Sequence, residues 1–219
     1  MSKLAALARS LAFPAVVGVI ICVSAGTWEL QFVWAVLGVM AALYVALIAF
    51  GDPGLVRERA APAGDNRDRL TRPLGALFLL THWVVAGLDV GRFHWSPVPW
   101  EVQVVGVIGY AAALSVNFWA LRVNRFYSSA VRVQEDRGHH VISGGPYRFV
   151  RHPGYAATLF AMFSGGAALG SWLAVLPIIG FAVLFVRRLL LEDRMLHAEL
   201  PGYAEYAQRV RSRLIPGVF

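Results

Sequence analysis

Two polar segments of this chain carry the residue types that chemistry needs. The first is Arg132–Tyr155, RVQEDRGHHVISGGPYRFVRHPGY; the second starts at Arg187 and reads RRLLLEDRMLHAELPGYAEYAQRVRSRLIP. In the first, Ser143-Gly144-Gly145-Pro146 is a turn, in which Gly144 and Gly145 allow close backbone approach and Pro146 fixes one dihedral. Tyr147 follows as an aromatic able to stack on a base or cap a pocket. His152-Pro153 then opens a helix, with Pro153 in the first turn, where a missing N–H does no harm. Free N–H groups at such a start suit an anion such as a carboxylate. The same glycines and prolines also fit a re-entrant or interfacial loop that only shapes the chain.

His139, His140 and His152, with Glu135 and Asp136 nearby, raise the question of a metal. Their spacing matches no zinc pattern and the chain has one cysteine, so no metal is expected. In the second segment Arg188 and Glu192 are four apart and share a helix face. They form either a surface ion pair or a cation and an anion aimed at one site. Leu189, Leu190, Leu191, Met195 and Leu196 supply an apolar face that places this helix at a membrane interface or against a bundle. Tyr203 and Tyr206 read by spacing as interfacial anchors. Elsewhere, Thr81, His82, Asp89, Ser115 and Asn117 fall inside apolar runs. His82 is the most interior and reads as hydrogen-bonded structure, and Asp89 reads as solvated near the outer interface. A GxGxxG fingerprint is absent, so a soluble Rossmann-type site has no support.

The elements that must position these groups follow from composition. Of 219 residues, 58% are apolar and 15% charged, and mean hydropathy is +0.58. This excludes disorder, a collagen-like chain and a disulfide scaffold, and points to one integral membrane domain, residues 1–219. Six apolar runs are candidate spans: Leu11–Thr27, Phe32–Phe50, Leu74–Gly91, Trp100–Leu121, Gly154–Gly170 and Trp172–Val186. The last two form a tight hairpin at Gly170-Ser171, with the second arm continuing past Val186. The fold class expected is therefore all-α, a polytopic membrane bundle of about five to six spans. Residues 1–121 make a four-span half, and residues 122–219 carry the hairpin, the polar loop and the tail.

The net charge of +7 and pI near 10.2 come almost wholly from arginine, Lys3 being the one lysine. Such a balance fits nucleic-acid binding in a soluble protein. Here it sorts by loop: among the basic residues only Arg92 lies in the connections Trp28–Gln31, Arg92–Pro99 and Gly170-Ser171. The positive-inside rule then places both termini and both long loops in the cytoplasm, and no nucleic-acid partner is expected. Lys3, Arg9 and the Val23-Ser24-Ala25 sequence also resemble a signal peptide, but a retained first span is the reading taken. Gly51–Pro73 reads as a solvated connector. The single Cys22, inside an apolar run, says nothing firm about redox compartment.

The runs His139–Tyr147 and Arg151–Tyr155, with Glu192-Asp193, Leu196, Tyr203 and Tyr206, resemble the isoprenylcysteine carboxyl methyltransferase family, which is related to the phospholipid N-methyltransferases. The likeness covers Asn124 to Pro216, under half of the chain, and the N-terminal half shares only its membrane character. The family's paired glutamates read Glu192-Asp193 here. The resemblance implies an integral membrane methyltransferase that uses S-adenosylmethionine in a non-Rossmann pocket. That pocket lies on the cytoplasmic side, between the loop before the hairpin and the C-terminal tail. It carries cofactor contacts to Gln134, His139, His140, Val141, Ile142, Gly145, Tyr147, His152, Pro153, Gly154, Tyr155 and Glu192, and a substrate-facing, catalytic role to Arg188. The implied acceptor is lipid-like and lies within the bilayer.

An arginine suits an anionic nucleophile held bidentately, whereas an amine would need a base. A carboxylate or similar oxygen is thus the expected acceptor, with a phospholipid amine as the alternative. An NADPH-dependent membrane reductase of related fold and a non-catalytic regulator are the competing classes. The Ala- and Arg-rich composition fits a bacterial chain, and a cytoplasmic cofactor pool favours the inner membrane. Oligomeric state is not legible.

Overall fold

The computed structural model describes residues 3–62, 64 and 66–219, with side chains from Leu11 onward. The side chains of Lys3 and Arg9, part of the expected charge asymmetry, lie outside the described residues.

The fold is an all-helical bundle of α1 (Lys3–Ala25), α2 (Gln31–Phe50), α3 (Pro53–Ala60), α4 (Thr71–Leu88), α5 (Trp100–Val123), α6 (Pro153–Ala168), α7 (Val175–Glu199) and α8 (Tyr203–Arg209). No strand occurs among the described residues. Every expected span falls on a helix, with ends within about three residues of those expected except at the start of α1, which lies at Lys3 and not Leu11, and the end of α7. Gln31–Phe50, Thr71–Phe93 and Trp100–Val123 are each long and apolar enough to cross a membrane, and Leu11–Ala25 is a shorter apolar stretch. The hairpin partner α7 runs well past Val186, as expected, and carries its last three turns into the polar end of the molecule.

Small residues let the helices touch. A Cβ at Gly106 of α5 would press on the Ala168 nitrogen of α6 at 2.7 Å and the Ser164 carbonyl at 2.8 Å, and Gly165 of α6 lies flat on the Tyr110 ring. With no water to expel, such close backbone approach supplies the dispersion that joins membrane helices. Val17, Ile21, Val33, Leu37, Ala86, Tyr110 and Ala161 fill the centre of the bundle.

The three short connections expected on one side do converge at one end. Val98 N–H donates to the Gly170 carbonyl at 3.1 Å, Trp172 N–H to Ser96 O at 3.0 Å, and Arg92 Nε to Ser24 O at 2.6 Å. Trp28, Trp95, Trp100 and Trp172 are exposed around this end, an aromatic belt of the kind that sits at headgroup level. Asp89 corrects an expectation: it is buried, not solvated. A wide π-turn, Asp89–Phe93, brings its carboxylate under the hairpin corner. There it accepts from Ser96 N–H at 3.0 Å, from Ser171 Oγ at 2.5 Å and from the Ser96 hydroxyl. Those donors replace the lost water.

Residues 51–73 also depart from the solvated connector expected. Asp52 caps α3 by accepting from Leu55 N–H at 2.7 Å, Leu55 and Glu58 are buried, and Asp68 is completely enclosed. The segment folds back as a wall because Asp68 and Glu58 meet arginines more than seventy residues away.

Candidate functional site

At the arginine-rich end two clefts lie side by side and share a wall. The first encloses about 670 Å³ between the loop before α6, α7 and the tail. The second encloses about 970 Å³ between α4, α6 and α7. Tyr127, Ser128 and Tyr155 line both.

Most of the residues singled out from sequence meet in the first cleft: His139, His140, Val141, Ile142, Tyr147, His152, Gly154, Tyr155 and Glu192 all line it. Arg188 lines the second. Three are not in either wall. Gln134 is buried under the loop, where its Nε2 donates to Phe126 O at 2.6 Å, its Oε1 accepts from Arg137 at 2.5 Å, and its backbone N–H reaches His139 Nδ1 at 3.3 Å. It therefore holds the histidine that lines the cleft. Gly145 has φ of +57°, a conformation that glycine adopts freely, and a Cβ there would meet Val123 at 2.8 Å. Pro153 is buried in the first turn of α6. Both shape the loop that presents Tyr147 and Gly154.

Tyr147 is locked from two sides: Asn124 Nδ2 donates to its hydroxyl at 3.0 Å, and the Tyr206 hydroxyl donates to its carbonyl at 2.6 Å. Burial pushes its phenol pKa far up, so it stays neutral. The helix start expected to be free at His152 is largely closed, since the Tyr155 and Ala156 N–H groups both donate to His152 O at 3.1 Å. Arg151 N–H donates to Ser212 O and His152 N–H to Arg213 O, both at 2.9 Å, so the tail is laced to the entry of α6.

Glu192 and Asp193 are neighbours on α7 with different tasks. Glu192 faces the first cleft and accepts from the Tyr155 hydroxyl at 2.7 Å. Asp193, past the span, is a buried hub. It accepts from Arg151 Nε at 3.0 Å, Tyr203 Oη at 2.9 Å and Arg213 Nε at 2.8 Å, with His152 Nε2 at 3.0 Å. Burial alone would raise its pKa; the His152, Arg151 and Arg213 hydrogen bonds override that and hold it far below the usual carboxylate range.

Arg188 is buried and held through three of its five N–H donors, its Nε donating to Tyr155 Oη at 3.1 Å, Nη2 to Ser129 O at 2.9 Å and Nη1 to Asp68 at 3.3 Å. Asp68 also receives Arg187 at 3.1 Å. Burial again opposes ionisation, and the Thr71 and arginine partners outweigh it, so Asp68 titrates below its ordinary value.

Sequence reasoning misplaced Tyr203 and Tyr206. They are not interfacial anchors: both are buried and line the first cleft with Met195, Leu196 and Leu200. The i, i+3 spacing of two tyrosines is the same for an anchor as for a pocket wall, so spacing could not decide. Tyr127 went unnoticed, and its one available signal was its place just after the fourth span.

The chain is 29% identical over 159 residues to a cobalt-zinc-cadmium resistance protein of Cupriavidus metallidurans, a match covering 68% of each chain. It is 23% identical over 153 residues to a nickel-cobalt-cadmium resistance protein of Alcaligenes xylosoxydans xylosoxydans, again 68% of each. Residues 104–198, which hold the His139–Tyr155 loop and the Arg188–Asp193 turn of α7, match the model of the isoprenylcysteine carboxyl methyltransferase (ICMT) family, the same family of methyltransferases that the motifs resemble.

Proposed function

We propose that the chain is an integral membrane methyltransferase that holds S-adenosylmethionine in the first cleft and methylates a lipid-like acceptor in the second. The observation that carries this reading is the shared wall: the Tyr155 hydroxyl touches Glu192 on the first-cleft side and Arg188 on the second.

The residues of the first cleft fit such a cofactor. Aromatic groups (Phe126, Tyr147 and Tyr155) offer faces to a base, and Glu192 forms no ion pair among the described residues, so it is available to a cation. When bound, S-adenosylmethionine supplies a methyl group already activated on a sulfonium. The protein is left with in-line positioning and exclusion of water. Arg188, fixed by three partners, orients an anionic acceptor oxygen from the second cleft. Tyr155, held between two charges, keeps the wall narrow and rigid. Such an oxygen needs no base, so an anionic oxygen, of a carboxylate or similar group, suits the site better than an amine. The apolar part of the second cleft, lined by Leu79, Phe181 and Phe185, receives the acceptor's chain from the bilayer.

A phosphate-bearing dinucleotide is less well served. The arginines of the first cleft, Arg132 and Arg151, are already paired with Glu58, Asp136 and Asp193.

Calorimetric titration of the detergent-purified protein with S-adenosylhomocysteine, beside Glu192→Gln, tests the reading. Micromolar binding that weakens at least tenfold in the variant is expected. No binding to the parent protein would overturn it.

A further inference from the structure

We propose that the arginine-rich mouth of the second cleft is a phosphate site, so that the amphiphile it accepts carries a phosphate headgroup. This rests on the reading of that cleft as the acceptor cleft. Three guanidinium groups, those of Arg59, Arg72 and Arg188, line it, and no carboxylate does. The three are not equivalent. Arg188 is buried and engaged with Asp68, Tyr155 and Ser129. Arg59 and Arg72 are exposed at the rim. Arg59 lays its guanidinium over the Tyr127 ring, Cζ 5.0 Å from the centroid, and reaches Tyr127 O at 3.4 Å; it meets no acidic group among the described residues. Arg72 has no ion-pair or side-chain hydrogen-bond partner among the described residues. Two cations that face the cleft are thus left un-neutralised.

Behind them the cleft is apolar. Gly75 and Ala76 keep α4 slim, and a Cβ at Gly75 would stand 3.4 Å from the Phe181 ring. An apolar channel with two free guanidinium groups at its mouth complements a head with more than one negative charge. A carboxylate carries one charge and would leave at least one of the two rim guanidinium groups unanswered. A phosphate monoester carries about −1.5 to −2 at pH 7 and three strong acceptor oxygens, and planar guanidinium forks match that geometry. Arg59 and Arg72 both fall outside residues 104–198, so this feature belongs to the part of the chain that the family match does not cover.

The protein in an uncharged, phosphate-free detergent is titrated calorimetrically with dodecyl phosphate, dodecanoate and inorganic phosphate. The Arg59→Gln/Arg72→Gln double variant and Arg72→Gln alone are measured beside it. Dodecyl phosphate should bind at least tenfold tighter than dodecanoate. The double variant should erase that advantage while dodecanoate binding moves less than threefold. Arg72→Gln, at an exposed side chain without partners, leaves the fold intact and should by itself weaken dodecyl phosphate about threefold. Equal affinity for the two amphiphiles, or an advantage that survives both variants, overturns the proposal. Inorganic phosphate binding as tightly as dodecyl phosphate overturns the lipid assignment and makes free phosphate the ligand. S-adenosylhomocysteine affinity, measured on the same preparations, should be unchanged in the variants. Its absence throughout would sink the methyltransferase reading while leaving the headgroup discrimination to stand or fall by itself.

Discussion

The Tyr155 hydroxyl stands between the two charges that face the clefts, donating to Glu192 Oε2 at 2.7 Å and accepting from Arg188 Nε at 3.1 Å. It ties an anion of one cleft to a cation of the other across a single oxygen. Hydrogen bonds to charged groups are worth about 1.5–3 kcal/mol, which corresponds to roughly 10–150-fold in rate if they align reacting groups. Tyr155→Phe keeps the ring and its packing on Phe185, 4.7 Å away between centroids. The variant should lower kcat by about that factor while S-adenosylhomocysteine affinity falls much less. Equal losses in both would mean that Tyr155 serves cofactor binding and not alignment.

Gly154 lines the first cleft beside Tyr127, which lines both. A Cβ there would overlap the hydroxyl end of Tyr127, a residue of the shared wall. Gly154→Ala must displace the Tyr127 ring and with it Arg59, whose guanidinium rests on that ring. Activity should fall at least tenfold with little change in thermal midpoint, since the displaced ring borders open space. A large drop in the midpoint would show the wall to be rigid structure first.

Asp193 binds the tail to the bundle. It collects Arg151, His152, Tyr203 and Arg213, while Arg151 Nη1 also holds the Val210 and Arg211 carbonyls at 2.9 and 2.7 Å. Breaking a buried pair by removing one partner costs about 3–5 kcal/mol. Asp193→Asn should therefore unfold earlier and expose residues 209–219 to protease and to amide exchange. Glu192→Gln, one residue away but facing the cleft, should keep the tail protected. If both variants protect the tail equally, the hub assignment is wrong.

What could be read from the sequence follows the range of the interaction. Apolar runs and the arginine asymmetry are local or cumulative signals, and they place the helices and bring the short connections to one end. The His139–Tyr155 loop was legible because its motif is contiguous. Asp68 was not, because its partner Arg188 is 120 residues away and nothing in GDNRDRL distinguishes a buried carboxylate from a solvated one. Asp89 failed for the same reason, its Ser171 partner being 82 residues distant. The second cleft escaped notice because it is made by absence: Gly75 and Ala76 leave room that no residue type announces.

His139 makes the fold sensitive to mild acid. Burial, then repulsion by His140, Arg132 and Arg137, pushes its pKa down from 6.5 to about 4. The ring packs on Phe126, centroids 4.6 Å apart, and its Nδ1 faces the Gln134 N–H at 3.3 Å, an arrangement that suits a neutral acceptor and not an imidazolium. Between pH 6.5 and about 4 the unfolded chain binds the proton and the folded chain does not. The stability is therefore complete above pH 6.5 and declines as pH falls towards 4. The thermal midpoint should drop across that window, and His139→Gln should flatten the drop. S-adenosylhomocysteine affinity of the folded protein should stay level down to about pH 4, since folded His139, which lines the first cleft, takes up no proton above that. A slope that persists unchanged in His139→Gln would assign the titration to another group.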